Sequence, residues 1–153
     1  MLKINVVCVG KVKEKYFSEG INEYAKRLSR FCDFSIIETA EENLKGIPAV
    51  IAEKEGKNII PKLRGTVFAL AMEGKKYSSE QFAEKLKSVK DSGAGEITFV
   101  IGGSYGLSAE VKNKANELIS FSDMTFPHTL FRLMLTEQVY RAFSIIEGSP
   151  YHK

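Results

Sequence analysis

Hydrophobic positions along the chain follow two rhythms that take turns. The runs LKINVVCV (2–9), FSIIETA (34–40), TVFALAM (66–72) and ITFVIGG (97–103) are short and rich in β-branched residues. They have the length and character of strands buried on both faces. SFSDMTF (120–126) is a fifth, more polar candidate. Between these runs the spacing lengthens to three and four residues. Phe17, Ile21, Tyr24, Ala25, Leu28 and Phe31 make one apolar helical face. Val50 to Leu63 predicts a second helix, with Gly56 its weak point. Ser78 and Gln81 have capping-box spacing ahead of Phe82, Leu86 and Val89. Ser108 suits the cap of a fourth helix with Glu110 in its first turn. Pro127 suits the first turn of a fifth, which runs to about Glu147 before Gly148 and Pro150.

Strict alternation of strand and helix predicts an α/β fold, a mostly parallel sheet with helices on both faces. A chain of 153 residues suits one domain, 1–153. The segment AEENLKGIP (40–48) is the one connection long and polar enough to be mobile. The fifth helix carries more apolar residues than one sheet face needs: Leu130, Phe131, Leu133, Met134, Leu135, Val139, Tyr140, Phe143, Ile145 and Ile146. Either it is wedged deep in its own fold or the surplus meets a second copy, and a homodimer is the expectation.

Composition narrows the function classes. An apolar share of 44% builds a core without disulfides or metal. No run approaches the roughly 20 apolar residues of a membrane span, and the N-terminus is too short and too alternating for a signal peptide. Cys8 and Cys32 have no metal-pair spacing and read as plain thiols of a reducing cytoplasm. A net charge of +3 is too small to announce a nucleic-acid binder. Basic residues do gather in 3–30, either as a solvated face or as a shallow rim for a phosphate backbone.

The candidate chemistry begins at EITFVIGGSYGL (96–107), a strand that stops at Gly102-Gly103 with Gly106 close behind. Neither familiar phosphate signature fits. The dinucleotide fingerprint needs glycine where Ser104 stands, and the phosphate loop needs Gly-Lys-Ser/Thr. At the other end, GSPYHK collects a phenol, an imidazole and an ammonium in Tyr151, His152 and Lys153. Near a site these groups stack on a base, move a proton and hold a phosphate.

VIGGSYGLS (100–108), SFSDMTFPH (120–128), EQVYRAF (137–143) and PYHK (150–153), in that order, resemble the RlmH family. So does the opening VGKVKEKYF…GINEY.KRL (9–28). These are SPOUT-class methyltransferases acting on a pseudouridine of large-subunit ribosomal RNA. The resemblance runs from end to end. It implies a C-terminal trefoil knot, a homodimer, S-adenosylmethionine as cofactor and methyl transfer to N3 of the pseudouridine. A loop for that cofactor has no phosphate to cradle, which accounts for the missing fingerprints. Carried over by position, the cofactor residues are Leu70, Gly102 and the run Phe121, Ser122, Asp123, Met124, Thr125 and Phe126.

For chemistry at N3 a proton must leave, and the chain has two histidines. His128, beside Pro127 at a helix start, is expected to stay neutral because the positive helix end disfavours its imidazolium. It then either accepts a proton or bonds a backbone group. His152 and Tyr151 are the other catalytic candidates, with the tail of one subunit folding over the cofactor pocket. Arg132 and Lys153 are expected to hold flanking phosphates. The modest charge points to recognition by the shape of an assembled ribosome more than by phosphate attraction. Two rivals remain: a non-catalytic ribosome- or RNA-binding module of the same fold, and a small dinucleotide- or flavin-binding protein, which rests on fold alone.

Overall fold

Strand β1 (Lys3–Val9) turns Ile4, Val6 and Cys8 to one face and Val7 and Val9 to the other, all at most 1% exposed. A strand apolar on both faces belongs in a sheet interior covered on both sides. In the computed structural model, which describes residues 1–42 and 45–153, β1 lies between β2 (Asp33–Thr39) and β4 (Glu96–Ile101). Beyond β4 come β3 (Thr66–Lys76) and β5 (Glu117–Ser120), giving the order β2-β1-β4-β3-β5 with every pairing parallel.

Helices α1 (Lys15–Leu28), α3 (Ser79–Asp91) and α5 (His128–Ile146) cover the face of Ile4, Phe68 and Phe99. Their contribution includes Leu28, Phe82, Leu86, Leu135, Val139 and Phe143. Helix α2 (Pro48–Ile59), the 3₁₀ turn Ile60–Lys62 and short α4 (Ala109–Lys114) cover Val7, Ala69 and Val100, with Ile59 and Val111 packed inward. Helices on both faces of a parallel sheet are what the alternating rhythm predicts.

Local signals carry through as well. Ser78 and Gln81 close a full capping box at α3, and Ser108 Oγ accepts from the Val111 amide at α4. Gly56 does not break α2. A Cβ there would lie 2.5 Å from Ser108 Oγ, so the glycine lets α2 approach the cap of α4. Burial pushes both thiols up to about 12, the ordinary behaviour of buried cysteines.

Three details differ from the sequence expectation. The fifth strand is 117–120, ahead of 120–126, because Leu118 and Ile119 are the residues that pair with β3. Just past them Ser122 Oγ accepts the Met124 amide at 2.9 Å and turns the chain. Pro127 stands at the N-cap of α5, one position before its first turn. Strand β3 runs on to Lys76, and Ile119 is matched to both Leu70 and Lys75, so residues 71–74 form an excursion out of the ladder. Asn43 and Leu44, in the 40–48 segment expected to be mobile, lie outside the described residues.

Candidate active site

All five strands are parallel, so their carboxyl ends meet at one edge, where open α/β sheets bind ligands. A cleft of about 810 Å³ lies there. Three segments wall it: Leu70 to Glu73 from the β3 excursion, the glycine loop after β4, and the connection from β5 to α5. Leu70, Gly102, Phe121, Ser122, Met124, Thr125, Phe126 and His128 all line it. The same edge thus gathers residues more than 50 positions apart in the chain.

The glycine loop is shaped by its own backbone. The Gly106 amide donates to the Gly103 carbonyl at 3.0 Å, with Gly106 at φ +79°. A Cβ on Gly102 would fall 2.7 Å from Gly106 C and 2.8 Å from its oxygen, so the turn folds tightly over position 102. Bare backbone therefore faces the cleft beside the aromatic rings of Phe121 and Phe126. Those rings pack at a tilt against Phe131, at 4.9 and 6.4 Å between centroids. Flat apolar walls with exposed amides and carbonyls fit a purine nucleoside bearing a polar tail, and the volume lies in the usual range for such ligands.

Two expected residues are placed otherwise. Asp123 is not in the cleft wall; it is exposed and pairs with Lys76. Arg132 is 2% exposed. Its Nη1 meets Glu38 Oε2 at 2.6 Å and its Nη2 donates to the Gly10 carbonyl at 3.0 Å. A buried guanidinium committed to Glu38 and the Gly10 carbonyl does not reach a phosphate in solvent, so Arg132 ties α5 to the ends of β1 and β2. Lys153 is exposed at the chain end.

The tail forms a second cluster on its own chain. Tyr151 O–H donates to Glu137 Oε1 at 2.9 Å, which leaves Tyr24 O–H to donate to Tyr151 across 3.1 Å. Burial, then these two hydrogen bonds, raise the Tyr151 phenol well above its usual range. Arg141 grips the same Glu137 oxygen through Nε and Nη2 and reaches His152 Nδ1 with Nη1 at 3.0 Å. Arginine only donates, so Nδ1 accepts and the ring proton sits on Nε2, 2.8 Å from Glu80 Oε1. His152 is thereby held as one neutral tautomer.

An apolar groove of about 520 Å³ runs between α1, α3 and α5, with Tyr24, Leu133, Met134 and Glu137 in its walls. It shares Phe121, Ser122 and Phe126 with the glycine cleft. Groove and cleft adjoin at those shared residues, and Tyr24 and Glu137 of the tail cluster line the groove. His128 lines the cleft, whereas His152 lines neither cavity.

Sequence reasoning missed Glu137, Arg141, Tyr24 and Glu80. The first two stand four apart on a helix, a legible ion-pair signal; the others have no local signature. It also missed Glu55, 2% exposed behind the glycine loop. A Cβ on Gly103 would sit 3.1 Å from Glu55 Oε1, an atom with no hydrogen-bond partner among the described residues. Its other oxygen accepts the Glu42 amide at 3.1 Å. Burial raises its pKa first, offset in part by that amide. A raised pKa means the folded state gains from the protonated form below the ordinary carboxylate pKa and loses that gain as pH rises through the folded value. Glu55→Gln is therefore expected to stabilise the protein near pH 7 by about 1 kcal/mol, or some 2–4 °C in melting temperature, with the gain shrinking as pH falls through the raised folded value toward 4.5. Thermal melts of both proteins across that range check it, and an advantage that grows toward low pH would refute it.

Comparison with known proteins places this geometry among relatives. Residues 2–152 match the family described as "Predicted SPOUT methyltransferase". Ribosomal RNA large subunit methyltransferase H of Streptococcus uberis is 54% identical over 159 residues, spanning 99% of this chain and all of the relative. The protein of the same name from Levilactobacillus brevis is 56% identical over 160 residues, with the same coverage. In fold, the chain is similar to a methylase family protein of Haemophilus influenzae, at TM-score 0.58 and 15% identity, covering 100% of this chain and 72% of that one. A methylase family protein of Neisseria gonorrhoeae gives TM-score 0.53 at 12% identity, over 91% and 82%.

Proposed function

The chain belongs to the SPOUT methyltransferase family, in its ribosomal RNA large subunit methyltransferase H branch, and on that premise we propose that it methylates N3 of a pseudouridine in large-subunit ribosomal RNA. The methyl donor is S-adenosylmethionine, held in the glycine cleft. The observation that carries this reading is the convergence of Leu70, Gly102 and Phe121 to Phe126 (Asp123 excepted) on one cleft of about 810 Å³. The chain works as one domain, 1–153, whose C-terminal part is a trefoil knot, and it acts in the cytoplasm on assembled ribosomes.

When bound, the cofactor supplies an electrophilic methyl group for in-line displacement. Everything else falls to the protein. Phe121 and Phe126 offer the flat walls that take an adenine ring, and the Gly102 backbone lies close enough to meet polar groups without a side chain between. Holding donor and acceptor in line is the main contribution of a site without covalent chemistry. The N3 proton leaves toward a histidine, His128 in the cleft wall or His152 from the tail. Tyr151 and His152 meet the target base when the tail of one subunit closes over the partner's cleft, and Lys153 holds a flanking phosphate.

That closure requires a homodimer. Leu133 and Met134, surplus apolar residues of α5, sit half-buried in the open groove and are the part of the helix that its own sheet does not cover. Light scattering is expected to report twice the chain mass, and Leu133→Glu with Met134→Glu to give a folded monomer. A double variant that remains a dimer would place the interface elsewhere.

The direct test supplies methyl-labelled S-adenosylmethionine with unmodified ribosomes or protein-free large-subunit RNA. Label at N3 of one pseudouridine is expected, with ribosomes the better acceptor. Cofactor binding with no label on either acceptor would favour a non-catalytic RNA-binding module, and no cofactor binding would overturn the reading altogether.

A further inference from the structure

Between β1 and α1 the exposure pattern alternates residue by residue. Lys11, Lys13 and Lys15 are exposed, while Val12 and Glu14 are half-buried. Residues 11–14 form an irregular link that is extended at Glu14, and Lys15 opens α1, so the alternation leaves all three lysines facing solvent within five consecutive positions. Among the described residues Lys11 and Lys13 form no ion pair, and Lys15 meets only Glu19, at 3.7 Å with both groups exposed. Such a pair contributes little and is readily exchanged.

The base of this segment is fixed. The Gly10 amide donates to the Thr39 carbonyl at 2.8 Å, and the Gly10 carbonyl accepts from buried Arg132. Arg132 is on α5, one turn beyond His128 of the cleft wall. On the other side, Cys8 is in register with Ile101, and a Cβ on Gly103 would touch Val9 at 3.2 Å. The lysines therefore leave the sheet at the same edge as the glycine loop, immediately beside it. Three carboxylates stand near: Glu41, whose Oε2 would lie 3.1 Å from a Cβ on Gly10, Glu38, bonded by the same Arg132, and half-buried Glu14 within the segment itself. Tyr16, 68% exposed, follows the last lysine and presents an open aromatic face.

We propose that Lys11, Lys13 and Lys15 form a comb that grips the phosphate backbone of the ribosomal RNA strand next to the target nucleotide. The inference rests on the reading of the chain as a ribosomal RNA methyltransferase. Three closely placed, solvent-facing cations without a firm ion-pair partner suit a run of backbone phosphates. They add affinity without reading sequence. Arg132 acts here as the brace that sets the comb's direction, a role consistent with its burial.

The test compares wild type with the triple variants K11Q/K13Q/K15Q and K11R/K13R/K15R, using a fluorescent single-stranded fragment of large-subunit RNA for binding and unmodified ribosomes for methyl transfer. The glutamine variant is expected to lower the slope of log affinity against log salt by about 2, near 0.7 per lysine on a single strand. Its KM for ribosomes should rise roughly tenfold at physiological salt, with kcat and cofactor affinity unchanged. The arginine variant should keep the wild-type slope. An unchanged slope and KM in the glutamine variant overturns the comb, as does a loss confined to cofactor affinity. If wild type binds RNA with a slope that the glutamine variant lowers, yet neither transfers a methyl group, the comb stands and the enzymatic reading falls.

Discussion

Gly102→Ala is expected to weaken S-adenosylmethionine binding by about 10- to 100-fold, the equivalent of the 1–3 kcal/mol that an extra methyl group forces on packed neighbours. The reason is geometric. The new Cβ would meet backbone atoms of Gly106 at 2.7 and 2.8 Å and the Leu107 amide nitrogen at 3.0 Å. Flexible side-chain ends move aside cheaply, but these atoms belong to a turn closed by the Gly106–Gly103 hydrogen bond. The loop must open, and the loop is the cleft wall. Calorimetry with the cofactor reads the affinity, and a thermal melt shows whether the rest of the fold holds. Methyl transfer should fall in proportion at limiting cofactor. An unchanged affinity in a folded variant would show that the glycine loop does not hold the ligand.

Removal of residues 150–153 is expected to lower kcat about 10²- to 10³-fold, the scale of a positioned proton-transfer group, while cofactor affinity stays within a fewfold of wild type. The deletion takes away Tyr151, His152 and Lys153 but no residue of the glycine cleft wall. It leaves Glu137 and Arg141 paired with each other. Single changes separate the parts. His152→Ala removes the neutral imidazole that Arg141 and Glu80 orient, and Tyr151→Phe removes the hydroxyl between Glu137 and Tyr24. Labelled-methyl turnover and calorimetry on the same preparations provide the two readouts. Intact turnover after the deletion would remove the tail from the mechanism and leave His128 as the imidazole at the site.

Much of the fold is legible in the sequence because its causes are local. Strand or helix follows from side chains two, three or four positions apart, and capping from Ser78 with Gln81 or Ser108 with Val111. The glycine loop is equally local, since a β-branched run that stops at two glycines marks where backbone must come close to something. The family resemblance then supplied Leu70 and the 121–126 run, which no periodicity singles out. Errors arose where a local pattern was ambiguous. SFSDMTF alternates well enough to pass for a strand, but only 117–120 has the apolar pair that β3 can cover.

Charge was the least legible property. Arg132 looks like any helical arginine, yet it is buried and bonded to Glu38, 94 positions away. Glu55 is one of several glutamates of the chain, and nothing nearby announces a carboxylate closed beneath Gly103.

By itself, then, the sequence determined the alternation of elements, their caps, the glycine loop and the stock of reactive groups in the tail, all set by neighbours within about one helical turn. The tertiary structure alone decided which of those groups meet. It brought Tyr24 to Tyr151 across 127 positions, carried residues 71–74 out of the ladder into the cleft wall, and turned Arg132 away from solvent. Those outcomes depend on strand order and register, which join distant segments through crossovers. Side-chain periodicity states only which face of an element is buried, and leaves open which other element will bury it.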